Sequence, residues 1–441
     1  MLVSSRTHTV VARGLAMMGS FVQVVVISRA LDLDEAGMVF LVFTLVSLAA
    51  TVGRFGTDNL VLRMIASRQT GYSVEARWLA WTCWVTSSFS GSIIFVLLCS
   101  GLLPASLHGL TVLDAVCAGA MTVFYSVGVF AGAVLRGSGR LVAGIAAELG
   151  IAPWVTAALV VALQVTGTST VTTVLFSFLI SGLLTALWAS HAAHPFLGAD
   201  DNASWRSGMA FLRVHLGSLA SLMGTSLLFF ALVWVPQLSL GVVGTATQVA
   251  EYTAAARLAS FITIFPGIQT SYLGPTFAAL AHSDRRLEIS SQSGRATISA
   301  MLVAVPILIV TSAVPQQLLG VFGGGYVNAA IPTLILCIGA YIGVAFGPVN
   351  VIMMTAGLEK FALILNACLL AALTTVILVW TSALGVTGIA IACAAGTVLY
   401  GALASVLIWC NLRVDPTLLA YFRPTVLASG TIGTSKRVSQ C

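Results

Sequence analysis

The segments Leu369-Leu370-Ala371-Ala372-Leu373-Thr374-Thr375-Val376-Ile377-Leu378-Val379 and Val303-Ala304-Val305-Pro306-Ile307-Leu308-Ile309-Val310 decide the class of this protein. Neither contains a charge, and neither alternates apolar with polar residues. A strand of a membrane barrel would alternate, with one face toward lipid and one toward the lumen. A surface helix of a water-soluble protein would keep one polar face. Segments apolar on every side are helices whose solvent is lipid, because a helix satisfies its own backbone there.

The rest of the chain extends this reading. Only 8% of residues are charged and 58% are apolar, where a soluble protein carries roughly 25% charged residues. So few charges cannot cover the surface of a water-soluble chain of this length. About twelve apolar stretches are each long enough to cross a hydrocarbon core of about 30 Å. They lie near residues 10–31, 37–62, 78–103, 111–135, 141–165, 170–192, 214–238, 248–275, 297–320, 328–355, 360–383 and 386–411. The first is too long for a signal peptide and has no small-residue cleavage site after it.

The basic residues orient these helices. All of the 20 Lys and Arg except Arg29, Arg54 and Arg257 fall at or near one set of alternating loops. That set includes both termini, the turn at Arg136 and Arg140, and the loop at Arg285 and Arg286. The positive-inside rule places these loops, and both termini, in the cytosol. The net charge of +6 is dispersed among loops, with no basic and aromatic platform for nucleic acid. The cysteines form no CxxC pair and the histidines no HExxH, so no metal site is predicted.

The longest polar link, residues 193–213, lies at the midpoint. It divides the chain into a lobe at 1–192 and a lobe at 214–412, with a cytosolic tail at 413–441. Leu135-Arg136-Gly137-Ser138-Gly139-Arg140-Leu141 has an echo in Thr355-Ala356-Gly357-Leu358-Glu359-Lys360-Phe361 at the matching place of the second half. Halves with an even number of helices share one orientation, related by an axis along the membrane normal.

Ionisable residues inside the spans are the functional candidates, since each costs about 2.5–3.5 kcal/mol to insert. Arg257 lies roughly ten residues into its helix, about 14 Å deep at 1.5 Å per residue. It requires a polar cavity or a partner. Arg54 and Asp58 are at i and i+4 and can pair on one helical face. Glu148 can meet Arg54 or a coupling cation, or serve as a partnered structural carboxylate. Arg29, near Asp32, Asp34 and Glu35, reads as an anchor at the outer interface. No nucleophile elbow, P-loop or dinucleotide fingerprint occurs, so neither an enzyme nor a bound cofactor is predicted.

Several motifs together resemble the Wzx-type polysaccharide flippases of the multidrug/oligosaccharidyl-lipid/polysaccharide exporter superfamily. The entry to the second helix, Ile27-Ser28-Arg29-Ala30-Leu31-Asp32-Leu33-Asp34-Glu35-Ala36-Gly37, is similar to the family's base, Leu and Gly. Phe55-Gly56-Thr57-Asp58-Asn59-Leu60-Val61-Leu62-Arg63 resembles the end of its second helix. Glu251-Tyr252-Thr253-Ala254-Ala255-Ala256-Arg257-Leu258 looks like its run of Tyr, small residues, base and Leu. Phe322 to Ala330 and Leu384 to Ala390 resemble the glycine-rich entries to helices ten and twelve.

The resemblance covers about residues 9–412. It implies an all-α polytopic membrane protein with two pseudo-symmetric six-helix lobes around a central cavity. It implies translocation of a polyprenyl-pyrophosphate-linked oligosaccharide from the cytosolic to the outer leaflet of a bacterial inner membrane, by alternating access. Arg257, Arg54 and Arg29 would supply cavity cations for the pyrophosphate, with Glu148 and Asp58 as coupling or ion-pair groups. The implied partners are the lipid-linked oligosaccharide, membrane lipid, a coupling cation (proton or sodium) and glycan assembly proteins. One alternative is an ion-coupled multidrug or metabolite exporter of the same superfamily. A membrane-embedded polysaccharide polymerase or acyltransferase is a distant one. The topology has a direct test: on a background without native cysteines, a cysteine at Ser138 should react with a membrane-impermeant maleimide only after the cytosolic face is opened. Labelling in intact cells would refute the orientation.

Overall fold

The computed structural model describes residues 2–67, 73–100, 105–197, 205–282 and 285–422, and among them no strand occurs. The first half contains α1 (Leu2–Ala30), α2 (Leu33–Gly53), α3 (Thr57–Ala66), α4 (Ser73–Cys99) and α5 (Val112–Gly137). It continues with α6 (Leu141–Ile145), a π turn (Ala146–Gly150), α7 (Ile151–Thr166) and α8 (Val171–Ala193). The second half contains α9 (Trp205–Val243), α10 (Ala246–His282), α11 (Arg286–Ala313), α12 (Pro315–Gly320) and α13 (Ala330–Ala345). It ends with α14 (Val349–Thr355), α15 (Glu359–Leu412) and α16 (Leu419–Phe422).

Among the described residues, eleven helical segments are long and apolar enough to cross a membrane, which makes this a multi-pass membrane protein. The twelfth expected crossing, 248–275, lies within α10, whose 37 residues reach about 55 Å. It is less apolar because protein surrounds it: α10 packs on α1, α2, α9, α11, α13, α14 and α15. Protein neighbours and a cavity accept the Gln248, Glu251, Arg257 and Gln269 side chains that lipid would not. The last two crossings form one hairpin, α15, with its tip at Gly385. The φ of 54° there needs glycine, and Leu373 of one arm meets Gly396 of the other.

Four expected helices are not continuous, the crossing at 297–320 breaking at Val314 between α11 and α12. The crossing at 37–62 breaks at Arg54-Phe55-Gly56, where Phe55 and Gly56 have φ of 48° and 73°. Gly56 also lies against the Leu219 carbonyl of α9, where a Cβ would come within 2.6 Å. The crossing at 328–355 breaks at Gly347-Pro348, between α13 and α14. The crossing at 141–165 contains the π turn. Pro153, one turn later, lacks an N–H and its ring crowds the carbonyl of residue 149, so the preceding turn widens. The boundary segments differ as well. The expected linker at 193–213 is helical from Trp205, and residues 198–204 lie outside the described residues. Of the expected tail, Ser290 and Ser293 of α11 bond the carbonyls of Asp415 and Pro416 at 2.9 and 2.7 Å. Residues 423–441 lie outside the described residues.

The apolar core is asymmetric between the two membrane faces. One cluster is shared by the halves. It joins Val24, Ile27, Phe40 and Leu41 of α1 and α2 to Leu240, Val249, Leu258 and Phe322 of the second half. It occupies the face away from the termini. Toward the terminal face the core divides. Leu79, Val134 and Leu135 lead a cluster of the first half that takes in only Leu219 and its neighbours from α9. Phe277, Ile352 and Met353 lead a cluster formed within the second half. The halves therefore share one apolar core on one face, whereas toward the other the core is divided and polar contacts link them, Arg13 Nη1 donating to the Gly267 carbonyl at 3.1 Å and Asn59 Nδ2 to Ser226 Oγ at 3.2 Å.

Inside the first half, α5 and α6 approach at Gly132 and Gly144, where a Cβ on Gly132 would lie 2.6 Å from Glu148 Cγ. This contact brings Arg136 Nη2 within 2.7 Å of Glu148 Oε1. Glu148→Gln should lower the thermal midpoint in detergent, corresponding to about 1 kcal/mol, because the Arg136 left without its partner is about a third exposed. Adding Arg136→Gln should recover part of that loss, and a double-mutant cycle measures the coupling. Strict additivity would mean that the pair does not interact.

Candidate functional site

A cavity of about 320 Å³ lies between the halves. Helices α1, α2, α5, α7, α8 and the π turn line it from the first half, and α9 and α10 from the second. Six aromatic side chains stand in the wall, Phe21, Phe43, Tyr125, Phe178, Trp234 and Phe261. Phe21 of α1 meets Phe261 of α10 edge-on at 4.9 Å between ring centres. Phe43 of α2 lies 5.1 Å from Phe178 and 6.3 Å from Trp234. Ser20, Gln23, Ser181, Ser260 and Thr263 add neutral polar groups.

The ionisable lining residues are Tyr125, Glu148 and Arg257. Glu148 is answered by Arg136. Arg257 is half-buried and makes no ion pair or side-chain hydrogen bond among the described residues. It has Thr253 and Ser260 on its own helix, but their hydroxyls bond backbone carbonyls at Val249 and Arg257. The cavity therefore presents one cation without a counter-charge, on a planar guanidinium that suits bidentate contact with an oxyanion.

The other predicted residues take different places. Arg54 pairs with Asp58, Nε to Oδ2, at 3.3 Å, and Arg54 Nη2 donates to Thr51 Oγ1 at 3.2 Å. The pair bridges the break in the helix: Arg54 caps the carbonyl end of α2 and Asp58 lies in the first turn of α3. Each charge thus matches the dipole of its helix end. Neither residue lines the cavity. Arg54, like Glu148 and Arg257, is within electrostatic reach of Tyr125 in the lining. Glu148 does line the cavity, but its ion-pair partner is Arg136 rather than Arg54. Arg29 is outside it, at the face where the halves meet, and its Nε donates to the Val321 carbonyl at 2.6 Å.

Three further residues emerge only from the structure. Arg136 reads in the sequence as one more base of a Gly-Ser-Gly turn. Tyr125, the one phenol in α5, gave the sole readable signal, a polar aromatic inside an apolar span. Asp34 accepts from the backbone N–H of Thr247 at 3.1 Å and from its hydroxyl. With Ser106 donating to the Gly241 carbonyl at 2.5 Å, it ties the halves together beside Arg29. Among the described residues, no group of three or more His, Cys, Asp or Glu side chains is placed to hold a metal.

No protein-family model and no curated protein matches the chain. Solved structures do. An inward-facing conformation of a multidrug resistance MATE family transporter of the MOP superfamily superposes with a TM-score of 0.67 at 18% identity, over 92% of this chain and 94% of that one. A MOP superfamily transporter from Pyrococcus furiosus, described as having a binding pocket of reverse polarity that suggests a different function, gives 0.61 at 15% identity over 93% and 95%. An outward-facing MATE family transporter gives 0.60 at 15% identity over 93% and 95%. At these identities the likeness is one of fold. The chain has the all-α fold of the MATE transporters of the MOP superfamily.

Proposed function

We propose that this protein is a flippase that moves an anionic lipid-linked cargo, an oligosaccharide on a polyprenyl pyrophosphate, from the cytosolic to the outer leaflet of a bacterial inner membrane. The observation that carries this reading is Arg257, a cation without a counter-charge in a cavity between two halves. A sugar pyrophosphate cannot cross hydrocarbon unaided. In the cavity the headgroup meets Arg257 and neutral hydroxyls, while the lipid tail stays in the bilayer. The divided apolar core toward the terminal face, together with the basic loops on that face, supports a cavity that loads from the cytosol.

Alternating access then moves lobes 1–192 and 214–412 against each other about the 193–213 connection. The ties to be broken are Asp34 to Thr247, Arg29 to Val321 and Ser106 to Gly241. Arg54 serves as a second-rank cation within electrostatic reach of Tyr125. Glu148 is the point at which a coupling proton or sodium ion competes with Arg136, with Asp58 as its acidic neighbour. Glycan assembly proteins are the natural partners for delivering such a cargo.

The aromatic wall favours a second reading, export of an apolar drug or metabolite. A cationic drug would have to approach Arg257 without an opposing free carboxylate, which favours an anionic cargo. Arg257→Ala should abolish leaflet transfer of lipid-linked sugar while membrane abundance stays normal. Arg257→Lys should retain part, because charge survives and the fork does not. Normal transfer by the alanine variant would refute the cargo-binding role. Asp34→Ala frees Thr247 and should raise labelling of a cysteine at Trp234 by an impermeant reagent added outside. Unchanged labelling would mean that this tie does not hold the outer face shut.

A further inference from the structure

A second cavity, about 450 Å³, lies on the other side of α10, within the second half. It falls in the usual range for ligand sites, about 300–1,000 Å³. Its chemistry differs from that of the first. No charged residue lines it. Instead, neutral polar groups from three separate elements converge: Asn350 of α14, Asn366 on the first arm of α15, and Thr397 and Tyr400 on the second arm. Tyr400 Oη donates to Asn350 Oδ1 at 3.5 Å, and Asn366 shares the lining with both.

Asn366 is buried in the middle of an otherwise apolar helix. An amide there is costly unless its donors and acceptors are used. Two amides and a phenol offer more donor and acceptor sites than their mutual contacts consume, and the Thr397 hydroxyl, whose proton goes to the Cys393 carbonyl at 2.9 Å, keeps its acceptor capacity. A hydrocarbon chain in this cavity would leave those sites empty. A charged group would find no counter-charge. The occupant that fits both conditions is neutral and polyhydroxylated, with an apolar face to lie against Phe229 and Tyr252 of the wall.

The two cavities are neighbours. Ser260 and Thr263 line both, and Ser260 Oγ bonds the carbonyl of Arg257 itself at 2.6 Å. We infer that the second cavity is a carbohydrate subsite that receives a sugar ring of the same molecule whose phosphate is held at Arg257. This rests on the anionic-cargo reading and adds to it a separate sugar-recognising surface, on residues that touch no charge.

The test compares two probes in detergent-solubilised full-length protein: farnesyl pyrophosphate, and the same lipid pyrophosphate bearing one hexose. Binding is followed by tryptophan fluorescence, since Trp234 lines the first cavity, and checked by native mass spectrometry. The hexose-bearing lipid should bind about tenfold more tightly, the worth of one or two good hydrogen bonds. Asn366→Leu should remove that advantage and leave farnesyl pyrophosphate unchanged. Thr397→Val, a smaller change, should remove part of it and guards against a folding defect at Asn366. Equal binding of the two lipids, or Asn366→Leu and Thr397→Val weakening both lipids alike, would overturn the sugar subsite and assign the cavity to the lipid tail, with the phosphate site left standing. Failure of either lipid to bind would overturn the anionic-cargo reading, and the subsite with it.

Discussion

A guanidinium some 14 Å inside a helix that crosses hydrocarbon must meet water, an anion or a row of carbonyls, and the packing around α10 answers that demand at Arg257. The same requirement acts on every other charge within the spans, with different solutions. Arg54 and Asp58 neutralise each other across a helix break. Glu148 is neutralised by Arg136. Arg29 uses a backbone carbonyl at the membrane surface. Once these groups are satisfied at home, Arg257 is the charge in the cavity that remains open to a ligand.

Helix α10 is therefore the element on which the architecture turns. One face contributes Arg257 to the cavity between the halves, and the adjoining face opens to the cavity inside the second half. It is held by the shared core on the face away from the termini and runs into the separate second-half core on the other. A helix anchored at one end of a divided core is suited to relay a change at the cavity into relative movement of the halves. The break at Gly56, pressed against the Leu219 carbonyl, gives the first half a matching contact on α9. Discontinuous helices beside a mid-membrane cavity are a recurrent feature of transporters, because broken backbone is tolerated only where protein or water satisfies it.

Much of this was legible from residue types alone. Uniform apolarity over segments such as 369–379 required helices in lipid. The loop distribution of Arg set an alternating topology. The Arg54 and Asp58 pairing followed from spacing, although the pair spans a break that spacing did not reveal, since Gly56 and its contact on α9 lie far apart in the chain. The π turn at Ala146–Gly150 had a local cue in Pro153. Its consequence, a Glu148 side chain aimed between Arg136 and the cavity, did not.

By itself the sequence determined the solvent, the element type and the approximate placement of each crossing, because all three follow from transfer free energies summed over local windows. It also singled out Arg257, since the cost of burying a charge is a property of the residue and its depth. Which charges cancel and which stay available was decided only by the tertiary structure. Arg136 looks like a surface base until Gly132 and Gly144 bring its turn against Glu148, and the partner of Arg29, the Val321 carbonyl, comes from the second half. Pairing depends on distances of a few ångströms between segments remote in sequence, and no local window contains that information.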